Sequence, residues 1–281
     1  MIDQHNVEKL PAYRNIEKEF KTVNRLIRNT PGNVTALVRL GRLYDFKSEF
    51  SSAAAQFKNA LTALSLDSSV NDIDQVRAAV EKYNTSAGRV EQITVRSVSD
   101  LFNYWALSLK SLNNIDNALV FYGKAIFTDL TNATPFNNRG IVYMNSGEND
   151  LALKDFDESI RLNPKYAIPY CNRGIIKKSQ GRRKEAEEDH RTAIALDKKF
   201  AEPCYNLGIL YHEGKRYKEA VKVFKMAIKR NKKYALAYFN LGVAYSQINA
   251  PIRANCCIKK ALKLEPDNPL ILGALGYRRT K

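Results

Sequence analysis

The sequence predicts an all-α chain of stacked helical hairpins, and three observations lead there. Gly140, Gly174, Gly208 and Gly242 recur every 34 residues, each directly after Asn-Arg or Asn-Leu. Around each glycine the same residue sizes return: in one unit Cys204, Leu207, Gly208, Tyr211, Ala220, Phe224 and Ala227, in the next Tyr238, Leu241, Gly242, Tyr245, Ala254, Ile258 and Ala261. Prolines such as Pro164 and Pro266 close units. A fixed period of this length marks a repeat array, and small residues at helical spacing beside large ones let two helices of a unit approach closely.

The frame divides the chain into an N-terminal capping helix or half repeat (1–33, with its helix over 12–29) and full units at 34–67, 99–132, 133–166, 167–200, 201–234 and 235–268. A C-terminal capping helix at 269–281 follows. The cap at the start rests on Val23, Leu26, Ile27 and Pro31, which match only a second helix. Pro269, Leu272, Leu275 and Gly276 match only a first helix. The frame breaks once, because Gly41 and Ala106 are 65 residues apart. The insert at 68–98 carries Ile73, Val76, Val80 and Tyr83 at helical spacing, which predicts a helix over about 70–83 and a mobile turn over Asn84–Gly88. It is read either as a degenerate unit continuing the stack or as a partner site.

These residues resemble the tetratricopeptide repeat (TPR) family, across six units. The resemblance implies a right-handed superhelix, an α-solenoid of about six helical hairpins plus terminal caps, in which the first helix of each unit lines a concave surface. Such a solenoid buries its core only between neighbours, so one continuous domain is expected.

Net charge is +16 over 281 residues, and its distribution is uneven. Residues 1–66 carry 10 basic and 6 acidic side chains, 67–166 carry 10 and 13, and 167–281 carry 25 and 10. Lys218, Lys222, Lys225, Lys229 and Arg230 lie off the apolar positions of one second helix, and Lys259, Lys260, Lys263, Arg278, Arg279 and Lys281 continue the trend. Such a field draws acidic tails, nucleic acid or an anionic surface. Basic and aromatic residues do not interleave as a base-stacking surface requires, which ranks nucleic acid below acidic protein.

Comparing the units with one another exposes a correlated exchange. Arg139 and Arg173 stand where sister units have Leu207 and Leu241. In the same two units Asp155 and Asp189 stand where the sisters have Val223 and Cys257. A half-buried guanidinium needs an acidic partner, so Arg139/Asp155 and Arg173/Asp189 are expected to form structural ion pairs, within or between adjacent units.

Asn138, Asn172, Asn206 and Asn240 precede the Arg/Leu-Gly pair in four successive units. The resemblance implies that they point into the concave surface, where an amide offers both a donor and an acceptor to a peptide backbone. One turn on come Ile141, Ile175, Ile209 and Val243, with Tyr205, Leu236 and Phe239 nearby. Amides beside aliphatics suit an extended or amphipathic segment with apolar anchors. The opposing reading fills this row with the protein's own insert or C-terminus. The second asparagine of the clamp that TPR co-chaperones use for acidic tails is replaced here by Ile141, Ile175, Ile209 or Val243, which argues against that ligand.

Enzymatic chemistry finds no constellation, and neither a metal nor a cofactor is expected. His5, His190 and His212 are isolated, and His190 takes the slot of Phe156 and Phe224, which predicts a core imidazole. Cys171, Cys204, Cys256 and Cys257 have no metal-ligand or disulfide spacing and read as packing residues of a reducing compartment. The beginning Met1–His5 has no apolar run for a signal peptide, and no segment approaches membrane-spanning length, so the expected setting is cytoplasmic, with a cytoskeletal or ciliary address as a variant. The leading expectation is a non-catalytic scaffold or adaptor that holds an extended peptide. The alternative is a basic subunit docked on an acidic polymer, such as a microtubule lattice or a ribonucleoprotein. Apolar Leu270, Ile271, Leu272 and Leu275 leave self-association through 269–281 open against a simple cap.

Overall fold

A computed structural model of the protein describes residues 16–87 and 92–274. Within them every regular element is a helix. In chain order these are α1 Ile16–Asn29, α2 Val34–Phe46, α3 Phe50–Ala63, α4 Ile73–Ala87, α5 Val95–Ser111, α6 Ile115–Thr128, α7 Ala133–Asn145 and α8 Asn149–Leu162. They continue with α9 Ala167–Ser179, α10 Arg183–Leu196, α11 Glu202–Glu213, α12 Tyr217–Arg230, α13 Ala235–Gln247, α14 Pro251–Leu264 and α15 Pro269–Ala274. The chain divides into two compact units, 1–146 and 147–281. His5, residues 12–15 of the expected first cap, Gly88, Leu275, Gly276, Arg278, Arg279 and Lys281 lie outside the described residues.

The turn inside each hairpin has a backbone reason for its period. Asn113, Gly147, Gly181, Lys215 and Asn249 all adopt positive φ, between 58° and 80°, at intervals of 34 residues. A single left-handed residue ends the first helix and lets the second begin two residues later; glycine and asparagine take this conformation most cheaply. Between hairpins, Asp129, Asn163, Asp197 and Asn231 each accept a backbone N–H from two residues ahead, at distances of 2.7–3.1 Å, and so fold the junction into a side-chain-stabilised turn.

In the first unit α2 packs on α3, α3 on α5, α5 on α6 and α6 on α7. A Cβ on Gly41 would lie 2.5 Å from Cε1 of Phe57, a fully buried ring, so the glycine is what lets α2 and α3 close. Trp105 and Phe121 meet with ring centroids 4.4 Å apart.

The insert differs from its expected form in two ways. Helix α4 runs on through Asn84, Thr85, Ser86 and Ala87, where the sequence suggests a turn. The Asn84 side chain then holds the returning chain, donating to the carbonyl of Ile93 and accepting from its N–H, both at 2.8 Å. Nor does α4 continue the stack as a unit of its own, because α3 packs directly on α5 and the insert helix contacts α5 and α6. Val70, Val76, Val80 and Ile93 are buried in the same core cluster as Phe57 and Phe102. The Tyr83 hydroxyl accepts from the N–H of Val34 and donates to the carbonyl of Gly32, pinning the insert to the start of α2.

In the second unit successive helices pack from α8 to α14, and the first helices of neighbouring hairpins also touch, α9 with α11 and α11 with α13. The described part of the last helix docks one residue: Ile271 is fully buried against Ala235, Phe239 and Ala261, while Leu270 remains exposed.

Candidate functional site

Three of the four ladder asparagines lie in the second unit, on α9, α11 and α13, and all three are half-buried. Asn206 donates from Nδ2 to Sγ of Cys171 at 3.5 Å, and Asn240 donates to the Tyr205 hydroxyl at 3.0 Å. In the first unit Asn138 donates to Oδ1 of Asn103 at 2.9 Å. One rule covers all three bonds, since each amide reaches back 35 residues to the side chain just before the ladder position of the preceding hairpin. The amides therefore tie neighbouring first helices together, a role the sequence reading missed, although the repeated frame position of Asn103, Cys171 and Tyr205 was its available signal.

Two of the expected ligand contacts need correction. Asn138 is only 1% exposed, and its Oδ1 accepts from Asn137, so it belongs to the interior of the first unit. Phe239 is buried with Ile271 in the terminal core cluster, because the last helix covers it. Ile175, Ile209 and Val243 are half-buried in the second unit and Ile141 in the first, while Tyr205 packs its ring 4.9 Å from that of Tyr234. Each aliphatic lies three residues after its asparagine on the same helical face. The Oδ1 atoms of Asn206 and Asn240 accept no hydrogen bond among the described residues, which leaves acceptor oxygens beside aliphatic surface.

The structure brings Arg173 and Asp189 together in a two-pronged bond, Nε to Oδ2 at 2.9 Å and Nη2 to Oδ1 at 2.6 Å. Arg173 is 18% exposed, and Nη1 also donates to Asp157 at 2.6 Å. Lys177, one turn on from Arg173, also reaches Oδ2 of Asp189, at 2.9 Å. Partial burial works against the Arg173 charge, but the bonds to Asp189 and Asp157 outweigh it and raise its pKa. Asp157 and Lys177 escaped the sequence comparison because neither shares in the Arg-for-Leu exchange. Arg139 in the first unit is half-buried, with its guanidinium over the rings of Phe136 and Tyr143; Asp155 in the second unit is buried.

His190 is fully buried in the slot that holds Phe57 and Phe224 elsewhere. A Cβ on Gly174 would lie 2.8 Å from its Cε1, and neither ring nitrogen has a hydrogen-bond partner. Burial pushes its pKa down to about 4, so the ring is neutral at ordinary pH. Burial likewise pushes the Cys171 thiol up to about 12 and that of Cys204 up to about 11, which removes thiolate reactivity. No group of three or more metal-ligating side chains occurs among the described residues.

The basic surface also separates into used and unused cations. Arg230 does not belong to the exposed patch: it is half-buried and donates to the carbonyl of Phe200 at 2.8 Å. Lys218, Lys222, Lys225 and Lys229 on α12, and Lys259, Lys260 and Lys263 on α14, are exposed and form no ion pair among the described residues. Among those residues no helix is long and apolar enough to cross a membrane.

Sequence profiles of the tetratricopeptide repeat match residues 133–166 and 235–268, and a TPR repeat profile matches 210–249. No curated protein sequence matches the chain. Among solved structures, the APC/C hetero-tetramer Cut9–Hcn1 aligns at a TM-score of 0.72 and 16% identity, over 93% of this chain and 46% of that one. PilF of Pseudomonas aeruginosa aligns at 0.67 and 15%, over 88% and 98%. YrrB, a TPR protein with an unusual peptide-binding site, aligns at 0.50 and 22%, over 73% and 100%. At these identities the likeness is one of fold. Profiles and architecture together define a helical-repeat interaction protein. The chain is a tetratricopeptide repeat protein.

Proposed function

We propose that this scaffold, of a kind that serves protein–protein interaction and is in general non-catalytic, binds an extended peptide segment along the first helices of its repeats. The observation that carries the reading is the pairing of an unengaged amide oxygen with an aliphatic side chain one turn on, at Asn206 with Ile209 and at Asn240 with Val243. Asn206 and Asn240 each use one N–H within the protein and keep Oδ1, so a ligand would present its backbone N–H groups to Oδ1 while an apolar residue anchors on the aliphatics. Burying one such anchor contributes about 1.5–3 kcal/mol. YrrB, a similar fold with an unusual peptide-binding site, supports the class of ligand.

Selection from a random peptide display library tests this reading. Selected peptides should be extended and apolar at alternate positions. Asn172→Ala combined with Asn206→Ala should weaken them at least about tenfold, or ~1.4 kcal/mol. Unchanged binding by a variant that melts like the parent would remove the reading.

A second reading places the basic C-terminal half on an acidic partner, up to an acidic polymer such as a microtubule lattice or a ribonucleoprotein. The unpaired lysines of α12 and α14 favour it. A cytoplasmic, cytoskeletal or ciliary setting goes with that reading, as does self-association through the final helix with the first.

A further inference from the structure

Lys218, Lys222, Lys225 and Lys229 follow one another on α12 at spacings of four, three and four residues, so they form a single stripe along the exposed face of the helix. The same frame positions run through the neighbouring second helices with a different charge. On α8 they hold Asp150, Lys154, Asp157 and Arg161, which cancel. On α10 they hold Lys184, Glu188, Arg191 and Ala195, and Arg191 is bonded to Glu187 at 2.9 Å. On α14 they hold Ile252, Cys256, Lys259 and Lys263. At these four positions the net charge rises from 0 on α8 and +1 on α10 to +4 on α12 and +2 on α14. Tyr245 links α12 and α14, because Nζ of Lys225 and the guanidinium of Arg253 both lie over its ring, 5.6 and 5.8 Å from the centroid.

Resting on the second reading above, we propose that this lysine face of α12 and α14 is a docking surface for a carboxylate-rich polypeptide segment. The charge requires an anionic occupant, and two features select a polypeptide over a nucleic acid. The stripe is built of lysines, compact point charges, where bidentate phosphate recognition favours the arginine fork. The large apolar side chains exposed on the two helices are Met226 and Ile252, which is 87% exposed; neither is an aromatic platform for a base, and both accept an aliphatic side chain. Side chains three and four residues apart on an acidic helix would repeat at the spacing of the lysines.

The test titrates the full chain with a labelled poly-glutamate peptide bearing a few leucines, and with a single-stranded oligonucleotide of equal charge, across ~50 to ~200 mM salt. The peptide should bind, weaken with salt and outcompete the oligonucleotide. Lys222→Glu, Lys225→Glu and Lys229→Glu together should cost at least about tenfold, while Lys184→Glu, Lys198→Glu and Lys199→Glu, an equal reversal elsewhere on the second unit, should cost less than about twofold. Equal losses from the two triple variants would overturn the assignment of the face and leave an acidic partner standing. A tighter oligonucleotide would overturn the choice of polypeptide. Failure of both probes to bind at the lower salt would remove the second reading itself.

Discussion

The hairpins α9–α10 and α11–α12 share a frame, yet they are built on opposite interiors. In the first, Arg173 enters between the helices and is held by Asp189, His190 fills the aromatic slot, and Gly181 makes the turn. In the second, Leu207, Val223, Phe224 and Lys215 stand at those positions. Their surroundings differ in the same sense. Residues 167–200 hold 9 basic and 5 acidic side chains, and Glu187 among them accepts from Arg191, Arg216 and the Tyr211 hydroxyl. Residues 201–234 hold 9 basic and 3 acidic side chains. Arg173 and Lys177 engage Asp189 inside the first hairpin, whereas the lysines of α12 stand outward on the second and form no ion pair among the described residues. The comparison teaches that charge in this chain has two uses, one structural and one directed at solvent or a partner.

The largest break in that contrast should come from Asp189→Ala, which removes the buried carboxylate shared by Arg173 and Lys177, leaves them the more exposed Asp157 and Glu185, and is expected to cost about 3 kcal/mol in urea unfolding. Converting the hairpin toward its neighbour's interior with Arg173→Leu and Asp189→Val should cost less than the single change, because only Lys177 then loses a close carboxylate and it keeps Glu185 at 3.7 Å. Equal losses from the single and double variants would show that the pair is not what separates the two hairpins.

His190 should sharpen the comparison through pH. Its folded pKa of about 4 lies below the value of an unfolded histidine, so the unfolded chain takes up the proton first. The stability that the neutral ring contributes is complete above about pH 6.5 and is lost as pH falls from there toward 4, about 3 kcal/mol in all. His190→Phe, which installs the ring its sister hairpin carries, should abolish this part of the slope in urea unfolding measured from pH 7 to pH 4. Parallel slopes in parent and variant would show that the imidazole does not titrate with unfolding.

The smallest effect belongs to the turns. Lys215 pays for a left-handed backbone that Gly181 adopts freely, with φ of 58° and 77°. Lys215→Gly should raise stability by up to about 1 kcal/mol, and Gly181→Lys should lower it by about 1–2 kcal/mol, both read as shifts in Tm. Shifts of the same sign in the two variants would mean that the lysine's surroundings, not its backbone, set the cost.

Much of the fold is legible in the sequence. Gly41, Gly174 and Gly208 mark close helix contacts because a Cβ there would enter a neighbouring ring, and that steric demand repeats with the sequence. The Arg173/Asp189 contact was legible because two positions changed together. The insert was less so: its apolar spacing revealed a helix, but Asn84 reads locally as a turn residue, whereas the helix runs past it and its side chain holds Ile93 nine residues on. The ladder misled for a related reason. A recurring asparagine looks the same whether its amide faces a ligand or a neighbouring helix, and Asn138 faces the interior.

The repeat length, the pairing of small with large residues, the turn positions and the uneven charge are properties of the order of residues, since each follows from local sterics or from counting. Which amides are already engaged, that Phe239 lies beneath Ile271, that Arg230 serves backbone carbonyls and that the lysines of α12 lack internal acids depend on where distant segments meet. Hydrogen bonding and burial are relations between residues far apart in the chain, so tertiary packing alone could decide them.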